Sequence, residues 1–290
     1  MQVNTEVHVG RGYMSGLAAL GAASALVLAG CGSSSPSSGS GGGGGGATLS
    51  LGFMGAQTGP NAQLGINISN GAQLAIDQHN AKSGVTKVEL KKYDTQGDPT
   101  QGASQAQKAL SDKVLGIIGP AFSGESKTAV PVLDQAGIPS ISPSATAVSL
   151  ATHSWHTWHR VLANDGVQGP GAADFMARAL NAKKAAVIDD QSEYGKGLAD
   201  AVRKQLATDG VAIAVNDAID PNASDYSSTV NKVKPANPDV IYFGGYYSAA
   251  GKLIKQLRDG GVKGRFMSGD GTLDAKFISG GGAAAAEGSL

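Results

Sequence analysis

From Ala47 onward, short runs rich in β-forming residues alternate with longer amphipathic runs. The first strand is predicted at residues 48–56, and the run after it predicts a helix. The apolar positions near one face of that helix are Ile68, Ala72, Ala75, Ile76 and His79. Strands that alternate with helices of about ten or more residues build parallel sheets through right-handed crossovers.

The alternation occurs in two successive sets. The first set continues with the strand-like runs VELKKYD, VLGIIG and IPSIS, and after SWHTWHRVLANDG the second set has KAAVIDD, VAIAVND, DVIYFGG and RFMSGD. We therefore predict an α/β fold of two Rossmann-like lobes, each with a parallel sheet, joined by a hinge. Residues 48–162 are assigned to the first lobe and 163–290 to the second. A linking segment at 157–165 is expected beside a cleft.

Ligands of open parallel sheets bind where the loops leave the carboxyl ends of the strands. In the first lobe these loops are rich in hydroxyl groups, and in the second they contain acids and tyrosines. The stretch IIGPAFSGES leads from a strand into a helix, whose free N–H groups and positive dipole end favour an anion. A zwitterion fits both kinds of loop. The hydroxyls of Ser123, Ser144 and Thr146 are candidates for its carboxylate, Asp165 or Asp270 for its ammonium, and Tyr194 and Tyr246 for covering it.

The composition points to a small partner. The chain has 23 basic and 23 acidic residues and no basic run, so nucleic acid is a poor candidate. Its single cysteine, Cys31, excludes an intramolecular disulfide.

The position of Cys31 suggests membrane attachment. An apolar run from Leu17 to Leu28 is too short to span a bilayer comfortably and is typical of a signal peptide. The sequence Leu28-Ala29-Gly30-Cys31 resembles a bacterial lipobox, in which the cysteine is lipidated; a buried thiol is the alternative. We assign 1–30 to a lipoprotein signal peptide and 31–47 to a flexible Gly/Ser linker. The folded part is then expected to be tethered to a membrane surface.

Hypotheses of catalysis, nucleotide binding or metal binding have little support from the sequence motifs. Ser123 is not in a GxSxG motif, so a hydrolase is disfavoured. The segment GYYSAAGKL differs from a phosphate-binding loop in spacing and lacks its Ser/Thr, and no GxGxxG follows a strand. His153, His156 and His159 are spaced at three residues, a metal-site hypothesis that competes with surface or hinge packing. We expect no enzymatic activity, no metal and no cofactor.

Beyond these patterns, residues 48 to 290 resemble a known family almost continuously. The segments that show it include GAQTGPNAQLGINISNGAQLAIDQHNAKSG, GIIGPAFSGES, IPSISPSAT, HRVLANDGVQGP, DDQSEYGKGLAD and PDVIYFGGYYSAAGKLIKQLRDGG. The chain resembles the type I periplasmic substrate-binding proteins of ABC transporters, especially the leucine/isoleucine/valine-binding group, in lipoprotein form.

The resemblance implies specific roles for these positions. It assigns carboxylate recognition to Ser123 and Thr146, backbone contact to Ser144 and Ala145, and ammonium recognition to Asp270. Further matching cleft positions are Asp165, Tyr194 and Tyr246. It also implies a monomer at the extracytoplasmic face that closes on an amino acid and delivers it to an ABC permease and its ATPase.

Two positions depart from the branched-chain group and leave the substrate open. Leu64 stands where an aromatic residue often flanks the side-chain pocket, and Asp270 stands where glutamate is common. An aliphatic amino acid is the leading expectation, with an amide or urea ligand, or a sensing role with a signalling partner, as alternatives. Family members continue beyond AAAAEGSL and return to the first lobe, so we expect the C-terminal part of the fold to be missing here.

Overall fold

The computed structural model describes residues 47–290. The signal-peptide and lipidation predictions, including Cys31, and nearly all of the predicted linker lie outside the described residues.

The first lobe is built around a parallel sheet of five strands. The strand order is β2-β1-β3-β4-β5. The strands are β1 (Leu49–Gly55), β2 (Val88–Asp94), β3 (Ile117–Ile118), β4 (Ser140–Ser142) and β5 (Trp158–Arg160). In register, Gly52 lies opposite Ile117, and Ile117 lies opposite Ser140.

The second lobe contains a parallel sheet of four strands in the order β7-β6-β8-β9. Its strands are β6 (Lys184–Asp189), β7 (Ala212–Ala218), β8 (Val240–Gly244) and β9 (Arg265–Ser268). Ala185 lies opposite Val240, which in turn lies opposite Arg265. The predicted fold class, α/β with two parallel-sheet lobes, is confirmed.

Helices connect the strands in both lobes. They are α1 (Ala62–Asn80), α2 (Pro99–Ser111), α3 (Ser123–Gln135), α4 (Asp165–Asp174), α5 (Glu193–Thr208), α6 (Ser227–Ala236), α7 (Tyr247–Asp259), α8 (Ala275–Gly281) and α9 (Ala283–Ala286). Short 3₁₀ turns occupy Val148–Thr152 and Asp270–Thr272, and a π-helical turn at Phe175–Ala179 continues α4. No helix within residues 47–290 has both the length and the apolar character needed to cross a bilayer.

Three local expectations differ from the structure. The run VLGIIG forms only the two-residue strand β3, because Gly119, with a φ of 124°, and Pro120 turn the chain away. Part of the predicted linking segment forms β5, which pairs with β4. On α1 the fully buried positions are Gly65, Ser69 and Ile76, whereas Ala75 is exposed. The other four predicted positions are at least half-buried, and Gly65 packs directly against the backbone of Ala56.

The core of the second lobe lies on both faces of its sheet. Strands β6 and β8 form near-continuous apolar runs, with Val187, Ile188, Ile241 and Phe243 fully buried. Such runs are typical of parallel strands covered on both sides by helices. The first lobe has smaller clusters, including one around Met54, Tyr93 and Leu133.

The strand orders define where a ligand site can form. In each sheet the second strand is added on one side of the first strand, and the later strands are added on its other side. This change of side falls between β1 and β3 in the first sheet and between β6 and β8 in the second. The loops after these strands diverge and leave a crevice. The loops that begin at Ala56, Gly119, Asp190 and Gly245 are therefore the ones positioned to line a cleft.

Two glycines of α1 provide a test of the packing that positions this helix. A β-carbon on Gly65 would lie 1.8 Å from the carbonyl oxygen of Ala56, whereas one on Gly71 would meet nothing within 4 Å. We expect Gly65→Ala to lower the free energy of unfolding by about 2 kcal/mol or more through overpacking. Gly71→Ala should raise it by about 0.5–1 kcal/mol, because alanine loses less backbone entropy in a helix. Urea denaturation of both variants measures the difference, and equal effects would contradict the packing described here.

Candidate ligand-binding site

A cavity of about 180 Å³, the main cavity, lies between the two lobes. Its lining comes from the loops after β3, β4, β8 and β9 and from the start of α1 and α5. Five of the residues singled out from sequence meet here: Ser123, Ser144, Tyr194, Tyr246 and Asp270. The other three, Ala145, Thr146 and Asp165, are buried next to this lining.

The first-lobe end of the main cavity offers hydrogen-bond donors. Helix α3 begins at Ser123 directly after the β3 loop, so the free N–H groups of its first turn lie beside the cavity. The Ser123 hydroxyl oxygen accepts the N–H of Ala147 at 3.2 Å, which leaves its own proton to donate. The Ser144 hydroxyl instead donates to the carbonyl of Ala121 at 2.6 Å. An anion is therefore favoured at Ser123.

A buried acid that the sequence patterns did not reveal holds this loop. The Glu125 carboxylate accepts the N–H groups of Ala121 and Phe122 at 2.6 and 2.9 Å and also the hydroxyl of Thr95. Burial raises the pKa of Glu125 to about 7, although its hydrogen bonds act in the opposite direction. Glu125 thus fixes the path of the chain into Ser123. An acid three residues after a helix N-cap is the signal that could have indicated this role.

The second-lobe end of the main cavity is acidic. Asp270 Oδ1 accepts the Tyr194 hydroxyl at 2.7 Å and the Gln168 amide at 2.9 Å. Gln168 also donates to Asp165 Oδ1 at 3.2 Å, so one amide connects the two acids. Burial raises the pKa of the Tyr194 hydroxyl, which therefore stays a donor at neutral pH. Gln168 was not identified from sequence; its location on the first turn of α4 beside Asp165 is its only local signal.

Behind Ser144, the chain turns back through Ala145 and Thr146 to Asp165. The Ala145 N–H is bonded to Ser142 Oγ at 3.0 Å, and the Thr146 carbonyl accepts the Asp165 N–H at 3.0 Å. Thr146 Oγ1 and Asp165 Oδ2 are both buried and make no well-formed hydrogen bond within residues 47–290, although the Thr146 side chain lies close enough to Asp165 to lower its pKa. Such groups are costly to bury unpaired, so an additional donor, such as a ligand ammonium, would stabilise them.

The electrostatics of Asp165 follow from its burial. Burial raises the pKa of Asp165 to about 6, and the nearby Asp270 charge acts in the same direction. The neighbouring Thr146 and Gln168 side chains and the charge of Arg160 oppose the rise. At neutral pH the site therefore contains a poorly solvated negative charge that favours a cation.

The middle of the main cavity is apolar. Leu64 and Ile68 of α1 face Phe122 and Tyr246, and the two rings lie with centroids 5.2 Å apart. Tyr194 stacks obliquely on Tyr246 at 5.0 Å. Leu64 lies where the resemblance places a residue beside the side-chain pocket, whereas Phe122 and Ile68 were not among the predicted site residues. The cavity therefore has a donor-rich end, an acidic end and an aliphatic and aromatic side.

Direct contacts join the lobes around the cleft. Lys127 Nζ lies 3.0 Å from Glu193 Oε2, and the Ser149 hydroxyl donates to Glu193 Oε1 at 2.8 Å. Elsewhere the Gln63 N–H donates to the Tyr247 hydroxyl at 3.2 Å. The structure is therefore that of a cleft closed over its cavity.

The histidine triplet lies away from this chemistry. His153 stacks on Trp155 with centroids 4.1 Å apart, and Trp155 meets Trp158 edge to face. Within the described part of the chain, no group of three His, Cys, Asp or Glu side chains is arranged to hold a metal ion. In GYYSAAGKL, Lys252 donates to the carbonyls of Pro221 and Ala223 at 2.8 and 2.7 Å.

The architecture and its cleft define the class of protein. Two parallel-sheet lobes that face each other across a ligand-sized cavity are the arrangement of type I periplasmic binding proteins. Residues 48–290 match the family model described as periplasmic binding protein. The chain belongs to the periplasmic binding protein family.

Curated relatives are similar over most of this chain. The chain is 36% identical over 233 residues to the Leu/Ile/Val-binding protein BraC3 of Rhizobium johnstonii, covering 80% of this chain and 64% of that protein. It is 32% identical over 234 residues to the leucine-, isoleucine-, valine-, threonine- and alanine-binding protein of Pseudomonas aeruginosa, covering 80% of this chain and 63% of that protein. The chain thus spans less than two thirds of the length of these relatives.

A solved structure of a similar protein has the same fold. The branched-chain amino acid transporter substrate-binding protein LivJ of Streptococcus pneumoniae, in complex with isoleucine, superposes with a TM-score of 0.77 at 30% identity. The match covers 82% of this chain and 69% of that chain.

The burial of Asp165 predicts an unusual stability effect. Its pKa is raised in the folded state, so the unfolded state loses this proton first as pH rises, and folding is disfavoured increasingly from about pH 4 to about pH 6. We expect Asp165→Asn to raise the free energy of unfolding by about 1–2 kcal/mol at pH 7.5 and by much less at pH 4.5. Urea titrations at both pH values measure this.

Asp134 provides the matched control with the opposite sign. Its Oδ1 accepts the N–H groups of His156 and Thr157 at 2.8 Å each, and these bonds lower its pKa. Asp134→Asn should therefore destabilise the protein at pH 7.5. A destabilising Asp165→Asn at neutral pH would show that Asp165 is already compensated in the free protein.

Proposed function

We propose that this protein is an extracytoplasmic solute-binding lipoprotein of an ABC importer that binds an aliphatic amino acid in the main cavity. The observation that supports this most is the polarity of the cavity. A helix start with the Ser123 hydroxyl lies at one end, and Asp270 lies at the other, connected through Gln168 to the buried Asp165. An α-amino acid has the complementary pair of charges on one carbon.

The strength of such binding follows from hydrogen bonds to charged groups. Each contributes about 1.5–3 kcal/mol, so the carboxylate at Ser123 and the ammonium at Asp270 would together supply most of the affinity. Thr146 Oγ1 and Asp165 Oδ2 are further acceptors for the ammonium group, so we propose this role for Thr146 in place of the carboxylate contact that the resemblance implies. Ala145 contributes by shaping the turn, because its own N–H is already bonded to Ser142.

The size and lining of the cavity favour a small aliphatic side chain. A volume of about 180 Å³ is well below the roughly 300–1,000 Å³ of drug-sized sites. Leu64 and Ile68 offer apolar contact opposite Phe122 and Tyr246. The relatives named for leucine, isoleucine and valine binding support this substrate class. The amide or urea alternative predicts binding without a carboxylate at Ser123.

The proposed mechanism is a population shift between open and closed clefts. A ligand that contacts both lobes is held fully only when they meet, so it stabilises the closed state. Lys127–Glu193 and Gln63–Tyr247 are contacts between the lobes that would stabilise the closed state. An ABC permease with its ATPase would then recognise the closed monomer. No step requires bond chemistry by the protein.

Calorimetry with the full chain tests the ligand proposal. We expect binding of one or more of leucine, isoleucine and valine. Asp270→Asn should weaken it about 10- to 100-fold, because the ammonium loses a charge-assisted bond. Asp259→Asn is the control, since Asp259 is an exposed acid paired with Lys255 at 2.6 Å on α7. Ser123→Ala should also weaken binding.

The panel includes alanine, glutamate and urea to define the class of ligand. Binding of urea alone would favour the amide alternative. An absence of binding heat for every amino acid would refute the proposed function. Hydrolysis of an ester or amide that disappears in Ser123→Ala would instead support the enzyme hypothesis.

The proposed location depends on Cys31, where lipidation would anchor the protein to the outer face of a bacterial membrane. Cys31→Ser should move the protein from the membrane fraction to the soluble extracytoplasmic fraction, because the lipid attachment is lost. Fractionation and immunoblotting of cells that produce either form measure this. Ser33→Cys in the Cys31→Ser background controls for the presence of a thiol. An unchanged distribution would contradict the anchor.

A further inference from the structure

A second and larger cavity, the polar chamber, lies next to the main cavity. Its volume is about 480 Å³, and its lining also comes from both lobes. Residues that define its character are Gln96, Asp98, Asp190, Ser192, Asn222 and Ser248. Among the residues that the structure describes, its charged lining consists of Asp98 and Asp190, with no lysine, arginine or histidine.

Two aromatic side chains, the aromatic wall, separate this chamber from the main cavity. Tyr246 lines both cavities, and Phe122 lines the main one. The Phe122 ring lies against Gly97 of the polar chamber, where an ideal β-carbon would be 3.7 Å from the ring. Since the rings of Phe122 and Tyr246 are 5.2 Å apart, they are in contact and lie together between the two cavities.

We propose that the Phe122–Tyr246 aromatic wall determines specificity by limiting the ligand side chain to the apolar main cavity and excluding it from the polar chamber. This rests on the amino-acid binding proposed above. The wall selects by exclusion. The α-carboxylate and α-ammonium groups of a ligand such as arginine would be accepted, but its long side chain would clash with the two rings. Without the wall, the same side chain reaches a chamber whose two carboxyl groups suit a cation.

The wall is held by both lobes. Phe122 is almost fully buried and follows the backbone fixed by Glu125, while Tyr246 immediately precedes α7 in the second lobe. Tyr246 also packs against the first-lobe cluster around Phe53 and Phe122. The wall therefore requires that the two lobes be in contact. Exclusion operates at the step at which closure would occur.

The test compares leucine, arginine and citrulline as ligands of the full chain by calorimetry. Citrulline is the neutral isostere of arginine. In the wild type we expect leucine to be strongly preferred. In Tyr246→Ala, and independently in Phe122→Leu, the ratio of leucine to arginine affinity should fall at least about tenfold. Arginine should gain more than citrulline because of the acids in the chamber.

Two further variants separate this effect from general loosening. Phe277→Ala removes an aromatic ring that packs on Phe266 in the second-lobe core, so it should lower stability without changing the affinity ratio. Asp98→Asn in the Tyr246→Ala background should reduce the arginine gain but not that of citrulline. Asparagine preserves the cap that Asp98 supplies to Thr100 at 2.8 Å.

The outcomes distinguish the wall from the underlying function. If the wild type binds leucine but neither wall variant changes the ratio, the wall is structural only and the inference is overturned. The same holds if Phe277→Ala changes the ratio equally. If the wild type binds no amino acid, the proposed function fails and this inference fails with it.

Discussion

The cost of removing a carboxylate from water constrains the whole cleft. Each buried acid there must be paired, hydrogen-bonded or neutralised. Glu125 is satisfied by two backbone N–H groups and a threonine hydroxyl, so it serves the fold. Asp270 is oriented by Tyr194 and Gln168 and lines the main cavity. Asp165 keeps one oxygen without a partner. These acids differ in role because their neighbours satisfy them to different degrees.

Because the hydrogen-bonding groups differ between the lobes, the two ends of the main cavity favour opposite charges. The first lobe supplies donors at the start of α3, and the second supplies acceptors around Asp270. In the proposed function, neither end alone would recognise an amino acid. Because the two ends are on different lobes, recognition and closure would become one event, and a ligand with only one of the two charges would stabilise the closed state less.

The aromatic wall proposed above would add selection by size to this selection by charge. Tyr246 packs on Phe122 of the first lobe and on Tyr194 of the second. The same rings therefore bury apolar surface between the lobes and separate the main cavity from the polar chamber. Any change at Tyr246 is expected to affect both closure and selectivity, which is why the ratio of affinities is more informative than one affinity.

Much of the fold could be predicted because strand and helix periods are local. Strand VELKKYD has the predicted bounds, and most other strands begin or end within a few residues of theirs. The rule that parallel strands present their carboxyl ends at one edge was enough to bring Ser123, Ser144, Tyr194, Tyr246 and Asp270 into one cavity. The shortness of β3 was not predictable from its apolar run, since the turn at Gly119 depends on a close approach to Met54.

The sequence by itself determined the two parallel-sheet lobes and the chemical character of each strand-end loop, because both depend on residues close together in the chain. Only the tertiary structure decided the partners of those loops. Gln168 and Asp270 are 102 residues apart, and the contact of Phe122 with Tyr246 spans the cleft. Side-chain direction and long-range packing set such contacts, and hydrophobic periodicity does not encode which distant side chain will face a given loop.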